Sequence, residues 1–99
     1  MLTAHETPEF QKCAAKVWTD DERMQFLVWI VQNPHAGDVV RGSEGARKVR
    51  WAVPGRGKSG GVRVIYYYLS DDGIIYLATL YTKAERDSLT GAQIKSKRS

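Results

Sequence analysis

Arg41–Tyr68, RGSEGARKVRWAVPGRGKSGGVRVIYYY, decides how the chain is read. Seven Lys/Arg residues stand there against one acid, Glu44, and two strand-like runs flank a glycine-rich turn. Arg41, Arg47, Lys48, Arg50, Arg56, Lys58 and Arg63 repel one another unless an anion screens them, and a polyphosphate backbone fits that need. Ala46–Val53 alternates as a strand does, with Lys48, Arg50 and Ala52 on one face and Arg47, Val49, Trp51 and Val53 on the other. Lys48 and Arg50 then stand about 7 Å apart on one surface, at ~3.3 Å of rise per residue. Pro54–Gly61 reads as a flexible turn and Val62–Leu69 as a second strand.

Ala52–Ser59, AVPGRGKS, comes close to the phosphate-binding pattern GxxxxGK[ST], with alanine for the first glycine and Pro54 inside. That pattern works only where a helix follows, because the helix N-terminal amides hold the phosphates. GGVRVIYYY reads as a strand, so a basic hairpin tip presenting Arg56 and Lys58 to a nucleic-acid backbone is the better reading.

Outward from this stretch, Asp71-Asp72-Gly73 is a hairpin signal leading into a third strand, Ile74–Tyr81. Both of these strands are apolar on two faces, as expected of central strands covered by helices on one side and partly by aromatic residues on the other. Toward the N-terminus, Met1–Glu6 has weak strand character and suits an edge. Thr7 reads as an N-cap with Pro8 at the first helical position, opening a helix to Val17. Thr19-Asp20-Asp21-Glu22 is a capping box that starts a second helix, stopped by Pro34. Met24, Leu27, Val28 and Val31 form its apolar stripe, which Phe26, Trp29 and Ile30 widen, so it is expected to be covered over most of its girth. Core packing accounts for the stripe; Trp29 facing a partner is the alternative. Pro34–Gly45 reads as a loop, Lys83–Leu89 as a short helix, and Gly91–Ser99 as a disordered basic tail. Residues 1–90 thus form a single domain and 91–99 a tail.

With 99 residues, 42% hydrophobic and 26% charged, the composition is that of an ordinary soluble domain. No apolar run approaches the roughly 20 residues that span a bilayer, and Met1–Phe10 lacks a signal-peptide pattern, so a cytoplasmic location without membrane association is expected. Cys13 recurs with Phe10, Ala14 and Val17 at helical spacing and reads as a buried small hydrophobe, not a nucleophile. His5 and His35 lie in no metal-ligand pattern. Charge is unevenly spread: residues 1–40 carry three bases against six acids, whereas residues 41–63 carry seven against one. A run of nearly uniform sign points to anion binding more than to a solvated face.

At ARKVR, GRGKSGGVRVIYYY, the DDG turn and IIYLATLYTKAE, the chain resembles the RelE/ParE superfamily of type II toxins, in particular the RelE/HigB family and its HigB-like branch. The resemblance covers nearly the whole chain. It implies an α+β fold in which two N-terminal helices pack on a twisted antiparallel sheet of three to four strands. It also implies an endoribonuclease, an mRNA interferase that enters the A site of the 70S ribosome, cuts mRNA and so inhibits translation. A cognate helix-turn-helix antitoxin of the HigA type is the implied partner.

Such cleavage needs no metal or other cofactor if the RNA 2′-hydroxyl attacks the adjacent phosphate. It needs a base for that hydroxyl, positive charge on the phosphorane and an acid for the leaving 5′-oxygen. The resemblance implies that Lys48 and Arg50 are the family's basic pair and Arg63 its phosphate-stabilising arginine. Repulsion among neighbouring cations favours the neutral amine that a basic Lys48 requires; a solvated strand lysine is the plainer reading. The chain departs from better-known RelE members at Ala84, where they carry arginine, and at Thr90, where they carry tyrosine. Tyr81 and Lys83 of the HigB-like pattern are the expected substitutes, Tyr81 stacking on a base or positioning the phosphate unless it simply ends a core strand. Arg47, Arg56 and Lys58 are expected to contact the RNA backbone. Competing readings are a ParE-like toxin acting on DNA gyrase without cutting RNA, and a degenerate RNA-binding homologue.

Overall fold

Thr7 joins the two layers of the molecule. In the computed structural model, which describes residues 2–52, 61–82 and 90–96, its Oγ1 accepts the Phe10 N–H at 3.1 Å and donates toward the Leu77 and Ala78 carbonyls at 2.9 and 3.1 Å. The residue that caps the first helix therefore also fastens it to the sheet. The described elements are β1 (Thr3–Glu6), α1 (Pro8–Val17), α2 (Asp20–Gln32), β2 (Asp38–Val39), β3 (Arg47–Trp51), β4 (Val62–Leu69), β5 (Ile74–Thr82) and α3 (Gly91–Ser96). Both N-caps are as expected, and Thr19 and Glu22 close the full capping box at the start of α2.

The sheet has five strands in the order β1-β5-β4-β3-β2, with β1 parallel to β5 and the other pairs antiparallel. This α+β architecture matches the expected class, with five strands where three to four were foreseen and a mixed sheet where an antiparallel one was, because β1 joins β5 in parallel. The added strand β2 lies within Pro34–Gly45, expected to be loop throughout; two residues pairing with Arg47 and Lys48 are too few to carry a period. The DDG signal is met by a turn at Ser70–Gly73, where Gly73 takes φ +68° and joins β4 to β5. Val62–Leu69, which follows the glycine-rich stretch in sequence, is a strand, where a phosphate-binding loop requires a helix.

One face of the sheet packs on α1 and α2 through Phe10, Trp18, Phe26, Val64, Tyr66 and Leu77. Tyr66 is fully buried, and its hydroxyl donates to the Pro34 carbonyl at 2.8 Å and accepts the Gly37 N–H at 2.9 Å. The α2–β2 connection is thereby tied to the middle of the sheet. Burial holds this hydroxyl above the ordinary tyrosine pKa, with the Gly37 hydrogen bond and the Arg47 charge acting in the other direction. Tyr66→Phe strands a buried donor and acceptor and is expected to cost about 1–3 kcal/mol, read from denaturant unfolding. The unfolded chain ionises at about pH 10 while the folded chain keeps its proton, so stability should fall above that pH, and the Phe variant should lack that alkaline slope.

Two expectations are corrected. Helix α2 buries Phe26 and Ile30 but leaves Met24 and Val28 49% and 52% exposed, so it is covered on one side only. Gly91–Ser96, expected within a disordered tail, is helix α3. Its Thr90 N–H donates to Gln93 Oε1 at 2.9 Å and the Gln93 N–H to Thr90 Oγ1 at 3.1 Å, a second capping box, while Ile94 is fully buried. The helix expected at Lys83–Leu89 lies outside the described residues.

Candidate nucleic-acid interface

Strand register builds the site. Arg50 on β3 lies directly opposite Arg63 on β4, and Arg63 directly opposite Tyr81 on β5. Directly paired residues share a face, so these three side chains form one row across about 10 Å of sheet, at roughly 5 Å per strand. Val62 and Val64 on either side of Arg63 are buried against the helices, which turns Arg63 to the opposite face. Lys48, opposite Ile65, joins that face two residues along β3. Lys48 and Arg63 are half-buried and Arg50 is exposed.

Arg47 does not join them. It pairs with Tyr66 on the helix-covered face, and its Nη1 donates to the Gly37 carbonyl at 2.7 Å. Its position makes it a brace for the loop after α2. Arg56, Lys58 and Lys83 lie outside the described residues.

Tyr81 occupies its place in the row as a buried residue, 4% exposed, in a second core with Ala46, Ile65, Tyr67, Ala78 and Ile94. A ring covered in this way is not available for stacking on a base, one of the two roles foreseen for it. Its Oη remains: among the described residues, Tyr81 Oη and Trp51 Nε1 are the buried side-chain polar atoms without a hydrogen-bond partner. Buried polar groups are nearly always satisfied, so this hydroxyl, on the residue paired directly with Arg63, is an exception to that rule in the free chain.

The surroundings hold this row in place. Helix α3 lies on the same side of the sheet, where Ile94 packs in the Tyr81 cluster and Gly91 sits so close to the Arg41 carbonyl that a Cβ would collide with it. Lys95 approaches Glu44 at 3.5 Å. Thr90 is the cap of this helix. The Thr90-x-x-Gln93 spacing is itself a helix-start signal, and it is the feature of the sequence that points to α3. Two residues before Arg63, Gly61 takes φ +68° with the Trp51 backbone directly against it, a conformation and a clearance that only glycine meets.

The architecture aligns with a free-state arginine-to-alanine mutant of the E. coli toxin RelE over 98% of this chain and 96% of that one, with a TM-score of 0.64 and 17% sequence identity. The chain has the RelE fold. A chain of the intact E. coli RelBE toxin–antitoxin complex also matches, over 83% of this chain and 96% of that chain, with a TM-score of 0.59 and 16% identity. No protein-family model matches the sequence. In this version of the RelE fold, β3, β4 and β5 carry the Arg50–Arg63–Tyr81 row on the face opposite α1 and α2.

Proposed function

We propose that the protein is the toxin of a type II toxin–antitoxin pair, a HigB-like endoribonuclease that cuts mRNA in the ribosomal A site and so acts in the cytoplasm. The observation that carries this reading is the Arg50–Arg63–Tyr81 row, with Lys48 on the same face, in a chain of RelE fold. In the proposed reaction the RNA 2′-oxygen attacks the adjacent phosphorus as Lys48 takes its proton. The bond to the 5′-oxygen breaks, that oxygen gains a proton, and the products are a 2′,3′-cyclic phosphate and a 5′-hydroxyl. Arg63 and Arg50 offset the charge that builds on the phosphorane oxygens, where preorganised cations act most strongly. Tyr81 Oη donates to one of those oxygens, and Lys83 is the proposed source of the leaving-group proton. Arg56 and Lys58 add phosphate contacts beside the scissile bond, with Arg47 bracing the loop behind. The RelBE complex among the structural neighbours supports a cognate antitoxin, here proposed to be of the helix-turn-helix, HigA-like type.

Mapping of mRNA 5′ ends by primer extension, with purified protein added to translating ribosomes and naked mRNA as control, tests this directly. Ribosome-dependent cuts are expected. Gyrase-mediated DNA breaks with intact mRNA would replace the reading with a ParE-like one. Salt-sensitive RNA binding without product would indicate a degenerate homologue.

Tyr81→Phe separates the hydroxyl from the ring. Cleavage is expected to fall by about 10²-fold, the scale for losing one preorganised donor. Stability should hold or rise by about 1 kcal/mol, because the hydroxyl is buried without a partner in the free protein. Parallel single-turnover cleavage and thermal melts check both halves.

A further inference from the structure

Helix α2 is apolar around most of its circumference, yet the chain covers only one side of it. On the other side Met24 and Val28 line a groove of about 470 Å³ together with Trp29 and Trp51, whose rings lie 4.8 Å apart between centroids. Among the described residues the exposed large hydrophobics are Met24, Val28 and Val39, and two of the three meet here. Apolar exposure concentrated in one shallow, open depression, rimmed by polar residues, is the mark of a docking surface. The rim is formed by Asp21, Gln25 and Gln32.

The shape and charge of the groove select its occupant. From Asp21 to Gln32 it runs along three turns of α2, about 16 Å at 1.5 Å per residue, which suits a helix of similar length laid alongside. Among the described residues its charged lining residue is Asp21, which belongs to a first turn carrying Asp20, Asp21 and Glu22. Arg23, next in sequence, is turned away and bonded to the Glu6 carboxylate at 2.8 Å. The groove end is therefore acidic in a chain whose net charge is +4. It repels phosphate and favours an apolar segment carrying Lys or Arg at one end.

We propose that this groove takes an amphipathic, basic-ended helix of the antitoxin, an inference that rests on the toxin–antitoxin reading above. Met24 and Val28 supply the apolar contact, Trp29 and Trp51 the floor, and Asp21 the charge that sets the direction of the incoming helix. The surface lies on the helical side of the sheet, across β3 from Lys48 and Arg50, and so is separate from the proposed cleavage face.

Calorimetric titration of the purified cognate antitoxin into the full-length protein tests the assignment, alongside ribosome-dependent cleavage and sedimentation of each variant. Met24→Glu with Val28→Glu alters exposed positions, which thermal melting checks, and is expected to raise Kd at least 100-fold with cleavage by the free protein unchanged. Asp21→Lys is expected to weaken binding several-fold at low salt, the difference closing at high salt. Unchanged affinity in the double variant would overturn the groove, and equal or tighter binding by Asp21→Lys would overturn the basic occupant. Self-association lost in the double variant while antitoxin binding persists would reassign the face to a second copy. Cleaving protein that binds no antitoxin would remove the pairing and this inference with it. Antitoxin binding that needs the groove in a protein that cuts no mRNA would uphold the docking surface and overturn the nuclease reading.

Discussion

Arg63→Ala is expected to lower ribosome-dependent mRNA cleavage by about 10²- to 10³-fold while the fold persists. The residue sits at the centre of the cross-strand row, with Arg50 on one side and Tyr81 on the other. Its half-buried position in a central strand holds the guanidinium more firmly than an exposed loop arginine, and the effect of a charge on the transition state depends on that preorganisation. Arg50, exposed and one strand nearer the edge, should show the smaller loss of the two. Truncation at Arg63 removes no residue from the helix-facing core, because Val62 and Val64 carry that face. Rate constants from ribosome-bound mRNA, compared with melting curves, decide the matter: full cleavage by a folded variant would remove Arg63 from the mechanism.

Phe26→Ala should have the largest effect on stability, a loss of about 3–5 kcal/mol. Phe26 is fully buried where α2 meets the sheet, with ring centroids 5.3 Å from Trp18, 6.2 Å from Trp29 and 5.7 Å from Trp51. Three large rings cannot collapse together into the vacated volume, so the cavity persists and its cost adds to the lost burial. Against a typical stability of about 5–15 kcal/mol, such a loss leaves a marginal domain. Guanidinium unfolding should show a lowered midpoint with a similar slope; a midpoint shifted by less than the equivalent of about 1 kcal/mol would mean that α2 contributes little to the core.

The two tests probe opposite sides of one strand. On β3, Val49 and Trp51 pack toward α2 while Lys48 and Arg50 face the proposed RNA side. From Lys48 to Trp51 the strand sets basic residues on one face and apolar residues on the other, linking the core to the chemistry, while Arg47 falls on the apolar face and is held there by the Gly37 carbonyl.

What the sequence determined by itself is what local physics dictates. The caps at Thr7 and Thr19, the stop at Pro34, the alternation of β3, the apolar β4 and β5 and the Asp-Asp-Gly turn each follow from neighbours a few residues apart. The cluster of cations followed from composition, and the fold class from the family resemblance that the motifs carry. The tertiary structure decided whatever depends on partners distant in the chain. Thr3–Glu6 becomes a strand by pairing with Ile74–Leu77, in parallel, some seventy residues away. Arg50, Arg63 and Tyr81 form a row only through the register of three strands, and a shift of one residue would turn each to the other face. Because β5 is apolar on both faces, its pattern could not say that Tyr81 would be covered; that depended on α3, whose six residues dock through Ile94. The open side of α2 was hidden for the same reason: a helical stripe records which residues are apolar, and only packing decides which of them the chain itself covers.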